Sequence, residues 1–114
     1  MAIRNINLEA PRPTAASAKR FKRLLETWLV ERGATSSITE MSMCPSYQHI
    51  IGMGEAAVPL ILGRLAEEGD DPDQWFWALA SITEADPVPE DDRGDFLAMS
   101  RAWLRWGSEH GYAW

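Results

Sequence analysis

The chain is poor in the residues that usually carry chemistry, and each shortage excludes something. One cysteine, Cys44, stands among 114 residues, which rules out an internal disulfide and any cysteine-based zinc set. The fold must hold by packing, as suits a reducing compartment. There are two histidines, His49 and His110. Neither has a His, Cys, Asp or Glu three or four residues away, the spacing at which a helix pairs metal ligands. No apolar run reaches the roughly 18 residues of a membrane span, and the opening Met1 to Pro13 lacks a signal-peptide core. The expectation is a soluble, cytoplasmic protein. Basic residues are outnumbered, 11 against 17 acids, for a net charge of −6 and a pI near 4.8, so the molecule as a whole repels phosphate backbones and anionic membranes. Period-two alternation of apolar and polar residues is absent, and no sheet is predicted.

What is present is helical pattern and uneven charge. Residues 1–23 hold six bases and one acid, leaving five bases and sixteen acids in residues 24–114. A basic lead-in therefore precedes a strongly acidic body. Ala10-Pro11-Arg12-Pro13 blocks regular structure, so residues 1–13 read as an extended or disordered arm and 14–114 as a single helical domain. Thr14 can cap a helix running to Arg32 and stopped by Gly33, with Phe21, Leu24, Leu25, Trp28 and Leu29 on one stripe. Residues 34–44 show no clean period and read as a loop with at most one helical turn. Pro45 opens a short helix that stops at Gly52 or Gly54. Glu55 to Glu68 forms the next, with Pro59 early enough to cost little or to bend the first turn, and Gly69 ends it.

Asp71-Pro72-Asp73-Gln74 reads as a start signal, with Asp71 as cap and Pro72 at the first helical position. In the helix that follows, Trp75, Phe76, Leu79 and Ile82 share a face while Trp77 looks elsewhere. Asp86-Pro87-Val88-Pro89 is a stiff connector leading into Glu90, Asp91 and Asp92. A last helix spans Asp95 to His110, with Phe96, Met99, Trp103 and Trp106 on its stripe. The predicted fold is all-α, a compact bundle of four to five helices.

Residues 50–82, IIGMGEAAVPLILGRLAEEGDDPDQWFWALASI, resemble a single HEAT-like helical pair. Gly54, Ala57, Val58, Pro59, Leu60 and Leu62 match its first helix, and Asp71, Pro72, Ala78, Leu79 and Ile82 its second. Trp75, Phe76 and Trp77 are bulkier than the alanine-rich second helices of such repeats, and no second copy follows at repeat spacing. The resemblance implies one pair closed by flanking helices, and binding of proteins through exposed helix faces. Residues 45–112 are also similar to a small uncharacterised bacterial protein family, a likeness that transfers no residue roles.

Catalytic readings are weak. Cys44 and His49 lack the third, orienting group of a nucleophilic pair. Ser36, Ser37 and Ser46 lack the G-x-S-x-G context of a hydrolase. Gly52-Met53-Gly54 lacks both the preceding strand and the third glycine of a dinucleotide loop. Asp70, Asp71 and Asp73, and the cluster Glu90 to Asp95, do not fit a calcium loop and read as solvated caps. No catalytic residue, cofactor or metal site is predicted. Lys19, Arg20, Lys22 and Arg23 could make weak DNA contact, against the simpler reading of a solvated helix end. Tyr47 and His49, with Trp75, could instead serve a small-molecule pocket or a minor enzymatic activity.

Six tryptophans in 114 residues exceed what one core needs, and tryptophan is a common interface anchor. Trp28, Trp75 and Trp103 fit core stripes. Trp77 lies off its stripe, Trp106 near a helix end and Trp114 at the final position, and with Asp86, Glu90, Asp91, Asp92 and Asp95 they form the predicted partner-binding set. The expected function is a non-enzymatic protein–protein interaction module binding a basic partner or its own copy. An antitoxin, immunity protein or inhibitor neutralising a basic effector is its concrete version.

Overall fold

A computed structural model describes residues 10–114, so residues 1–9 of the expected arm lie outside the described residues. The rest of the arm is non-helical and tied down. Ala10 is buried, and the Arg12 guanidinium donates to the Gly111 carbonyl at 2.7 Å. The expected all-α fold is what the structure shows, with six α-helices among the described residues rather than four or five.

Helix α1 (Ala15–Arg32) starts as predicted. The Thr14 hydroxyl accepts from the Ser17 amide at 3.0 Å while the Ser17 hydroxyl accepts from the Thr14 amide at 3.1 Å, a reciprocal cap on two otherwise orphan donors. Gly33, at φ 56°, ends it. The additional helix is α2 (Ile38–Met43), in the stretch expected to be a loop. Too short to show a period, it is held at both ends. The Ser37 hydroxyl caps it through the Glu40 amide at 3.2 Å, and the Met41 carbonyl accepts from the Trp28 indole at 2.8 Å. Tertiary packing, not local propensity, makes this helix.

Helix α3 (Pro45–Gly52) has its proline in the first turn, where no donor is lost. A 3₁₀ turn (Gly54–Ala57) then leads into α4 (Val58–Glu68), and the chain bends by 109° between α3 and the segment Gly54–Glu68. The single helix expected from Glu55 is thus split just before Pro59, whose ring excludes the carbonyl one turn earlier. Helix α5 (Phe76–Thr83) begins four residues later than the Asp71 cap predicts. Asp73 organises the turn instead. Its Oδ1 accepts from the Gln74 amide at 2.8 Å, its carboxylate pairs with Arg32, and its amide donates to Glu68 Oε1 at 2.9 Å. Helix α6 (Phe96–Glu109) is capped by Asp95 through the Ala98 amide at 3.1 Å.

The core centres on an aromatic cluster. Trp75 lies 4.9 Å from Trp28, 5.8 Å from Phe21 and 6.1 Å from Tyr47, ring centre to ring centre, and Trp28 lies 5.3 Å from Tyr47. Each buried polar tip finds a partner. The Trp75 indole donates to Glu68 Oε2 at 3.2 Å, and the Tyr47 hydroxyl donates to the Gln74 carbonyl at 2.8 Å. That hydroxyl also accepts from the Ala78 amide at 2.9 Å. Ala78 is in the first turn of α5, so a phenol from α3 does the work of a side-chain cap. The Arg32 guanidinium covers Trp28 at 4.5 Å and reaches both Asp73 oxygens at 2.8 Å.

On α6 the buried line runs through Ser100, Trp103 and Gly107, while Phe96 is exposed and Met99 and Trp106 are half-buried. The predicted stripe is rotated because α4 approaches too closely for a bulky residue. A Cβ on Gly107 would stand 2.5 Å from Leu62 Cδ1. Among the described residues no single helix is long and apolar enough to cross a membrane.

Candidate functional site

Helix α5 buries Phe76, Ala78 and Leu79 and leaves Trp77, Ala80, Ser81 and Glu84 open, the i, i+3, i+4, i+7 pattern of an exposed face. Trp77 is 44% exposed on that face. The chain then runs from the end of α5 into residues 84–95, which hold six acids and one base, Arg93. Asp86, Glu90, Asp91 and Asp95 are exposed and Asp92 is half-buried. Asp86 pairs with Arg93, which pins the connector across the 3₁₀ turn Glu90–Asp92.

Trp106 is set apart from Trp77. It stacks on His110 at 4.3 Å and Tyr112 at 5.7 Å and meets Trp103 edge-on at 5.4 Å, whereas Trp77 joins no aromatic pair among the described residues. Trp77 and Trp106 therefore do not share one aromatic cluster. Trp106 lines a pocket of about 320 Å³ with Glu55, Ile82, Thr83, Glu84, His110 and Tyr112. The Tyr112 hydroxyl donates to Glu55 Oε1 at 3.3 Å. Burial, and then the charge of Glu55, push the Tyr112 phenol above its ordinary range.

Trp114 is likewise 44% exposed. Its side chain lies over Gly63 and Gly107, where an added Cβ would stand 3.3 Å from Trp114 Cβ and 3.1 Å from Trp114 Cζ3 respectively. It closes one side of a groove of about 490 Å³ between α1 and α4, floored by Phe21, Leu25, Pro59 and Leu60. Lys22, Glu26, Arg64 and Glu67 stand on the rim.

The residues considered for other chemistry do not converge. Tyr47 and Trp75 are fully buried in the aromatic core and His49 is exposed, so no cavity joins them. Lys19, Arg20, Lys22 and Arg23 are exposed on α1 and form no ion pair with the described acids. The Cys44 thiol donates to the Glu40 carbonyl at 3.4 Å, as a half-buried structural cysteine does. Among the described residues no three His, Cys, Asp or Glu side chains come together as metal ligands.

Glu55, Glu84 and Tyr112 are pocket residues that sequence reasoning missed. A signal existed for Glu84. The helix ending near Ile82 is followed by no glycine or asparagine, so an ordinary residue has to take the left-handed C-terminal position. Glu84 does so, at φ 57° and ψ 23°, with its amide donating to the Ala80 carbonyl. A side chain there costs about 1 kcal/mol relative to glycine. Glu84→Gly is accordingly expected to raise the unfolding free energy by about 0.5–1 kcal/mol in urea titration, and a fall would mean the glutamate makes compensating contacts. Comparisons with protein families, with curated proteins and with solved structures find no match.

Proposed function

We propose that this chain is a non-enzymatic protein-binding module whose acidic, tryptophan-bearing face engages a basic protein partner, in the manner of an antitoxin, immunity protein or inhibitor acting in the cytoplasm. The observation that carries the reading is Trp77: a large ring held 44% exposed on the open face of the helix that leads directly into the acidic connector. Tryptophans in such settings anchor interfaces because a partner can desolvate the whole ring. The acids around it attract a cationic partner and repel anionic competitors, raising encounter rates more than final affinity. The body's charge points the same way, since residues 24–114 hold sixteen acids and five bases.

Replacing Asp91, Asp92 and Asp95 together by asparagine tests the electrostatic part, because asparagine keeps the shape and the cap at Asp95. Exposed charges are worth about 0.5 kcal/mol apiece, so the triple variant should bind the basic partner about tenfold more weakly at low salt. The difference should shrink as salt rises. Unchanged affinity at low salt, measured by titration calorimetry, would sink the acidic-rim reading.

A further inference from the structure

The pocket beside Trp106 has a chemistry of its own. It lies where α5 and α6 both end, since Thr83 and Glu84 close one helix and His110 caps the other. Helix C-termini carry partial negative charge, although the α6 carbonyls of Trp106, Gly107 and Ser108 are already bonded within their own turn. Two carboxylates, Glu55 and Glu84, join them in the lining, and no lysine or arginine is among the described lining residues. Arg12 reaches this turn, but its guanidinium is committed to the Gly111 carbonyl. Trp106 and Tyr112, stacked on each other and with His110 stacked on Trp106, supply an aromatic wall against which an alkyl stem can pack. A volume of about 320 Å³ is at the lower limit of small-ligand pockets and suits one side chain rather than a cofactor.

We propose that this pocket seats an organic cation, an alkylammonium or guanidinium group held by Glu55, Glu84, Trp106 and Tyr112. The group could be a lysine or arginine side chain of the basic partner or a free amine. The first source rests on the reading of a basic partner, whereas the pocket itself can be tested without one.

The test is a nuclear magnetic resonance titration of the full chain with n-butylammonium chloride, following the Trp106 indole and Tyr112 amide signals at constant ionic strength. The expected result is a saturable shift of both signals, with 1-butanol binding at least about tenfold more weakly because it lacks the charge. Glu55→Gln combined with Glu84→Gln should weaken butylammonium binding by about tenfold or more. Glu84→Gly, expected to be at least as stable as the native chain, should also weaken it. Equal shifts with 1-butanol, absence of saturation, or unchanged binding by folded Glu84→Gly and the double variant would overturn the proposal.

A second arm separates the sources. If the double variant also loses affinity for the basic partner, the cation is the partner's side chain. If partner binding is untouched while butylammonium binding is lost, the cation is a free amine. A failed butylammonium titration removes the pocket while leaving the binding-module reading to the aspartate variants.

Discussion

Trp75→Ala is expected to lower the unfolding free energy by about 3–5 kcal/mol, a large part of the roughly 5–15 kcal/mol that such domains have. The ring sits at the junction of Phe21, Trp28 and Tyr47 with no exposed surface. Its loss removes the apolar transfer energy of a tryptophan and leaves a cavity that α1, α3 and α5 would have to collapse to fill. The damage also spreads through Glu68. That carboxylate takes the Trp75 indole proton on one oxygen and binds the Asp73 amide on the other, and Arg64 pairs with it at 2.9 Å. Without the indole, the turn that sets up α5 loses one of its supports. Trp77→Ala, two residues on, should cost far less, about 1 kcal/mol, because that residue is already 44% exposed. Urea titrations of the two variants side by side check this, and equal losses would mean that the core is misplaced.

Tyr47→Phe is expected to cost about 2–4 kcal/mol, although it removes a single oxygen. That hydroxyl donates a hydrogen bond to the Gln74 carbonyl and accepts one from the Ala78 amide, both at the start of α5. Deleting it strands a donor and an acceptor, each worth about 1–3 kcal/mol when left unpaired away from water. The same phenol predicts an alkaline weakness. Burial raises its pKa well above the ordinary value near 10, so the native state holds its proton where the unfolded chain has released it. The associated stability is complete below the unfolded value and is lost as pH climbs through it toward the native one. Tyr112, raised by burial and by Glu55, acts with the same sign. Urea midpoints between about pH 8 and pH 11 should therefore fall, and in Tyr47→Phe they should fall less steeply. An identical slope in the variant would contradict the role given to the phenol.

How far the fold could be read from the sequence depends on where each helix's hydrogen bonds go. Helices α1, α3 and α6 carry their own signals: Thr14 and Gly33, Pro45 and Gly52, and Asp95 each act within one turn. Helix α2 has only its Ser37 cap and the start of α5 only the Asp73 turn. Each is completed from afar, the one by the Trp28 indole 13 residues away and the other by the Tyr47 hydroxyl 31 residues away, contacts that no local pattern encodes. The rotation of the α6 stripe has a similar cause, since it depends on Leu62 of α4 pressing against Gly107.

The surface divides in the same manner. Trp77 was legible as off-stripe because it is one residue from Phe76 and two from Trp75, both of which the helix buries. That Trp77 and Trp106 share no aromatic cluster was not legible, because it depends on how α5 and α6 are placed by the connector between them. The pocket at Glu55, Glu84 and Tyr112 gathers residues from three parts of the chain up to 57 positions apart. Only the missing glycine after α5 marked any of them in advance.

The most direct test of the central claim is the hydrogen-exchange footprint of the chain in complex with a basic protein it retains, recorded beside its mass in solution. The account predicts protection concentrated on α5 around Trp77 and on residues 84–95, weakened in the Asp91, Asp92 and Asp95 asparagine variant. Protection confined to the groove between α1 and α4 beside Trp114, or a symmetric oligomer that retains no basic protein, would contradict it.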